Sequence, residues 1–173
     1  MNLGIDKIIF LDIDHVLTNV NVDNTSFLSY DPIKYKLSEY NLKNLDTILK
    51  STGACFVIAS NWRRFIFPDI YWEFNGKRFM SPLESFKKAY SSKIIGMLPV
   101  ERHATKCECL DLWFEDNPWF SKKGCYVILE DDLNERYQAH PIFRKHLILT
   151  DFRTGLTSKD ANSAIHILES EVQ

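Results

Sequence analysis

The stretch KIIFLDIDHVLTN, residues 7–19, decides how the rest of the chain is read. Its run Ile8-Ile9-Phe10-Leu11 is apolar on both alternating faces, the pattern of a strand covered on both sides. Asp12 and Asp14 follow, with Ile13 between them. A carboxylate taken out of water is costly unless a partner, a metal or a proton relieves it. The stretch therefore predicts a core strand that delivers two acids to a place where something neutralises them.

Working outward, four more short apolar segments read as strands: residues 54–59, 94–97, 125–129 and 146–149. Helical stretches alternate with them. Residues 38–50 space Leu42, Leu45, Ile48 and Leu49 along one face, with Ser38 as N-cap and Gly53 as the stop. Residues 82–90, 105–115 and 157–170 give three more helices, the last with Ala161, Ala164, Ile165 and Leu168 inward. Strands alternating with helices imply an α/β, Rossmann-like domain with a parallel sheet of about five strands, here a single domain over residues 1–173. Residues 18–37 and 62–81 take no assignment. The first is too short for a large inserted cap domain, and 61–93 has room only for a helix or a short flap.

Composition fits this reading. Of 173 residues, 45% are hydrophobic and 13% aromatic, enough for a sizeable core and against disorder. No apolar run approaches the roughly 20 residues of a membrane span. A strand beginning at residue 7 leaves no room for a signal peptide, so a soluble, cytoplasmic protein is expected. Cys55 and Cys125 fall in core strands, and Cys107 and Cys109 fall on a helix where i and i+2 diverge, so zinc is not expected. Residues 61–106 carry 9 basic and 4 acidic side chains, against 5 and 7 before them and 7 and 12 after. Such a basic segment suits an anionic substrate and equally a solvated surface.

In open α/β sheets, ligands bind beyond the carboxyl ends of the strands. There the sequence sets Asp12 and Asp14, then Ser60 in VIASNWRR, then the Glu130-Asp131-Asp132 run, with Lys106 at a helix start between the third and fourth strands. These are the parts of a phosphoryl-transfer site. One carboxylate can take a phosphoryl group, and another can protonate the leaving group. Acids from two strands can hold Mg²⁺, while a hydroxyl and an ammonium hold phosphate oxygens.

The ordered motifs FLDIDHVLT, Ser60, Lys106 and LEDD resemble those of the haloacid dehalogenase (HAD) superfamily of phosphatases, over nearly the whole chain. The resemblance implies that Asp12 is the nucleophile and Asp14 the general acid/base, with Ser60 and Lys106 completing the catalytic set. It also implies Mg²⁺ held by Asp12, the Asp14 backbone carbonyl and Asp131, a one-residue shift promoting Glu130 or Asp132 instead. The segments SNWRR, IIGMLP, KCECLDLWF, VILEDD and GLTSKDA, with FLDIDHVLTN, look closest to the HAD domains of the Swiss Army Knife RNA-repair group. The phosphatase half of phage polynucleotide kinase-phosphatase is a more distant likeness. One departure is His15, where glycine is common in the family; its bulk would narrow the site or add a hydrogen bond.

That likeness implies a terminal phosphate on RNA or DNA as substrate, the 3′ end ahead of the 5′, and a site left open for large substrates. A separately encoded repair partner fits the same picture. Arg63, Arg64 and His15 are the candidate substrate contacts. The aromatics between 62 and 74 read first as core and second as base-stacking groups. The rival readings are a small-molecule phosphatase such as a nucleotidase, and a catalytically weak binding module.

Overall fold

Lys7–Leu11 forms strand β1, and its four apolar side chains are fully buried. The computed structural model describes residues 5–18, 37–61, 72–74, 77–79, 83–100, 104–120, 124–132, 137 and 140–170, with 72–74, 77–79 and 83–85 described by backbone alone. After β1 come α1 (Glu39–Thr52), β2 (Cys55–Ile58), β3 (Trp72–Phe74), β4 (Lys77–Phe79) and α2 (Leu83–Tyr90). Then follow β5 (Ile94–Met97), α3 (Lys106–Asp116), β6 (Cys125–Glu130), β7 (Leu147–Leu149) and α4 (Ser158–Ser170).

β1 is the middle of a five-stranded sheet in the order β5-β2-β1-β6-β7, every pairing parallel. Its two neighbours run in register, Leu11 facing Ile58 on one side and Leu129 on the other. Parallel neighbours need crossover connections, which put helices over both faces. The chain steps outward from β1 in both directions, so the carboxyl end of β1 lies at the topological switch point where ligands bind in such folds.

Side chains alternate across a strand, and this alternation sorts the core into two layers. Ile9 and Leu11 pack with Phe56, Ile58, Val127 and Leu129 beneath residues of α1, α2 and α4. Ile8 and Phe10 pack with Val57, Tyr126 and Ile128 beneath α3 and Phe143. The first layer is largely aliphatic. The second is aromatic: Phe10 meets Trp113 edge-on at 5.0 Å between ring centroids, and Phe114 stacks on Phe143 at 6.0 Å. Burying each such side chain contributes roughly 1.5–3 kcal/mol before conformational entropy is counted.

The helix ends follow the expected chemistry. The Ser38 hydroxyl accepts from Asn41 N, and Gly53, at φ 72°, closes α1 by donating to the Leu49 carbonyl at 2.9 Å. Thr105 and Glu108 cap α3 reciprocally. All five strands and four helices read from the sequence are present. Two features were not anticipated: the antiparallel pair β3–β4, and β6 running one residue further than expected, to Glu130. The described residues hold no large cap domain, and no helix among them is long and apolar enough to cross a membrane.

Candidate active site

The strand alternation that buries Ile8 and Phe10 on the α3 side carries on to Asp12, and that which buries Tyr126 and Ile128 carries on to Glu130. Both acids are buried. They meet Lys106, the first residue of α3, whose Nζ donates to Asp12 Oδ2 and, at 2.9 Å, to each Glu130 oxygen. The lysine side chain is 18% exposed, so its charge is poorly screened. Asp12 Oδ1 accepts from the Ile13 backbone N–H at 2.7 Å, and the buried Ser60 hydroxyl also hydrogen-bonds Asp12. The carboxylate is therefore gripped from the strand, from β2 and from α3. The cost of burying the acids at the end of β1 is met by an ammonium, a hydroxyl and a peptide N–H.

The electrostatics divide the two acids. Burial pushes Asp12 up, but the Lys106 charge and hydrogen bonds from Glu130, Lys106 and Ser60 outweigh it and hold the group below the usual carboxylate range. Glu130 goes the other way: burial and the neighbouring Asp12 charge raise it well above that range, against the pull of Lys106. Glu130 is thus the member of the pair that keeps a proton to higher pH. Lys106 would be lowered by burial, yet Asp12 and Glu130 raise it further above its ordinary value, so it stays charged. Asp131 is raised by burial and by Asp12, with His15 and Lys106 opposing.

Asp12, Glu130 and Asp131 bring carboxylate oxygens within 4.8 Å of one another. Lys106 bonds two of these acids, and the upward shifts of Glu130 and Asp131 come first from burial and then from the neighbouring Asp12 charge. A hard, oxygen-seeking divalent cation such as Mg²⁺ fits that donor set. Glu130 falls on the α3 side with Tyr126 and Ile128, and β6, one residue longer than the sequence suggests, ends on it. Asp131 lies just past the strand end, half-buried, while the exposed Asp132 donates its backbone N–H to Glu130 Oε1 at 3.3 Å.

Asp14 and His15 open the turn at 14–17, both half-buried. His15 has φ 52°, the left-handed region, which explains why a glycine is at home at this position. Its N–H donates to Thr18 Oγ1 at 2.8 Å, and its carbonyl accepts from Thr150 Oγ1 at 2.8 Å. Arg63 and Arg64, like Trp62, Phe65, Phe67 and Tyr71, lie outside the described residues.

A second group of residues was missed by sequence reasoning. Asn41 and Asn44 on α1 are buried. Asn41 Nδ2 donates to the carbonyls of Val16 (2.9 Å) and Thr154 (3.0 Å), and Asn44 Nδ2 to that of Leu156 (2.8 Å). They bind the turn after β1 to the loop after β7. Gly155, at φ 64°, makes this possible: a Cβ there would lie 1.9 Å from Asn41 Nδ2 and under 3 Å from the Val16 and Thr18 carbonyls. The signal was available, since Asn41 and Asn44 share a helix stripe with Leu45 and Ile48, where an amide is out of place unless it has a buried partner.

No curated protein and no solved structure matches the chain. A family model does, over residues 8–161, from the first apolar residue of β1 into α4, and so takes in every element that builds the site. With that match, the chain belongs to the family described as the HAD domain in Swiss Army Knife RNA repair proteins.

Proposed function

We propose that the chain is a Mg²⁺-dependent phosphomonoester hydrolase working through an aspartyl-phosphate, and that its substrate is a terminal phosphate on RNA or DNA, the 3′ end before the 5′. The observation that carries this reading is Asp12 itself: a buried carboxylate kept ionised by Lys106 and Ser60 at the switch point of the sheet. A carboxylate with a lowered pKa is ready to attack without first losing a proton. Membership of a family of domains in RNA repair proteins supports the choice of substrate class.

In the first step an Asp12 oxygen attacks phosphorus and the ester P–O bond breaks, with Asp14 giving its proton to the departing oxygen. In the second, Asp14 takes a proton from water, which attacks the same phosphorus; inorganic phosphate leaves and the Asp12 carboxylate returns. Lys106 and Ser60 stand where charge shifts onto the phosphoryl oxygens and stabilise it there. Asp12, the Asp14 backbone carbonyl and Asp131 would hold the Mg²⁺, with Glu130 beside them in the same acid cluster. When bound, the cation offsets phosphate charge and polarises its oxygens.

The test is phosphate release from matched oligonucleotides carrying a 3′- or a 5′-phosphate, with Mg²⁺, with EDTA, and with Asp12→Asn protein. Release from the 3′ end, lost in both controls, is expected. Release from a mononucleotide as fast as from oligomers would replace the nucleic-acid reading with a nucleotidase. No release from any of these would remove the phosphatase reading.

A further inference from the structure

A site that takes the phosphate of a nucleotide must also hold what the phosphate is attached to. The loop after β7 offers a group for that purpose which neither the motifs nor the mechanism uses. Asp151 pairs with Gly155 as an isolated bridge, and residues 151–154 form an exposed tip. At this tip Phe152 is 44% exposed. Its ring meets His15 edge-on, 6.2 Å between centroids at 84°. The Arg153 guanidinium carbon lies 5.3 Å from the Phe152 ring centroid.

A single exposed phenylalanine is ordinary on a protein surface. This one differs in what holds it. Thr150 is bonded to the His15 carbonyl, Leu156 N to the Val16 carbonyl at 2.8 Å, and Asn41 joins Val16 to Thr154. The tip is thereby fixed at both ends to the turn that carries Asp14 and His15, two residues beyond Asp12. An aromatic ring flanked by a guanidinium, and in contact with the turn that follows Asp12, matches a nucleotide's own make-up of a flat π-surface and an anion.

We propose that Phe152, with Arg153 beside it, is the platform on which the base of the terminal nucleotide stacks while its phosphate enters the site. The proposal rests on the nucleic-acid phosphatase reading and names how that substrate is recognised. It also gives His15 a use, since the imidazole braces the ring from the catalytic turn.

The experiment reads binding apart from catalysis. Asp12→Asn protein is titrated with labelled oligonucleotides phosphorylated at the 3′ end or, in a second series, at the 5′ end. Each is made with either an intact or an abasic terminal nucleotide, and Kd is read by fluorescence anisotropy. With Phe152 present, the intact terminus should bind tighter in at least one series, by roughly five- to thirtyfold, the lower part of the range for one stacked base. Phe152→Ala should bring that ratio under about twofold, and Phe152→Trp should restore it. A ratio that survives Phe152→Ala, or no preference in either series with Phe152 present, overturns the platform. Failure of the parent reading looks different: a Phe152-dependent base preference with no phosphate release by the Asp12 protein would support the platform and sink the reaction.

Discussion

The two faces of the sheet do different work. On the α3 face, the core is aromatic and its last layer is ionic: Phe10 and Tyr126 lead to Asp12 and Glu130, clamped by Lys106. On the α1 face, the core is aliphatic and its last layer is made of amides: Leu45 and Ile48 lead to Asn41 and Asn44, which fasten two loops together. One face supplies charge, the other supplies position. The contrast teaches that reactive groups and the devices aiming them need not adjoin, because a strand presents alternate residues to each side.

Three substitutions test that division. The largest effect is expected from Lys106→Met. It leaves two buried carboxylates without their ammonium, so unfolding free energy measured by denaturant in EDTA should fall by about 3 kcal/mol or more. Phosphate release should disappear as well. Retained stability would mean that the acids do not depend on the lysine, and the ionic face would lose its definition.

Asn41→Ala comes next. It leaves the Val16 and Thr154 carbonyls short of a buried donor, at a cost of about 2 kcal/mol. The loss should be local. Hydrogen exchange at Leu156, whose N–H donates to Val16 O, should quicken, while β6 amides next to β1 keep their protection. Turnover should suffer more in KM than in kcat, since this face positions and does not react. An equal loss of protection in β6 would show that the two faces are one cooperative unit here.

The smallest effect is expected from His15→Gly. Relief of the left-handed backbone is worth about 1 kcal/mol, and the greater freedom of the unfolded glycine chain cancels most of it. Thermal unfolding should therefore move little in either direction. A large loss would show that the imidazole, through Phe152, holds the two loops together more than the Asn41 and Thr150 hydrogen bonds do.

Much of this was legible in the sequence, for identifiable reasons. The strands and helices carry unbroken apolar runs or helical spacing, and the groups at Asp12, Ser60 and Lys106 follow from asking what comes after each strand. The sequence did not choose between Glu130 and Asp131 as metal ligand, because they are adjacent acids at the end of β6 and both come within reach of Asp12. The Asn41 and Asn44 contacts were hidden for another reason: their partners at Thr154 and Leu156 are 113 and 112 residues away. Local pattern carries no record of such partners. The left-handed turn at His15 was hidden because the residue present is not the glycine that marks such a turn.

The central claim is that Asp12 carries the phosphoryl group. It is tested most directly by acid-quenching the enzyme during turnover of an end-phosphorylated oligonucleotide, and then mapping phosphate on the digested protein. The account predicts a phosphate on the peptide containing Asp12, removed by hydroxylamine as an acyl phosphate is, and longer-lived once formed in Asp14→Asn protein, where its hydrolysis is slowed. Turnover with no phosphate on that peptide in either protein, or turnover that persists in Asp12→Asn, would contradict it.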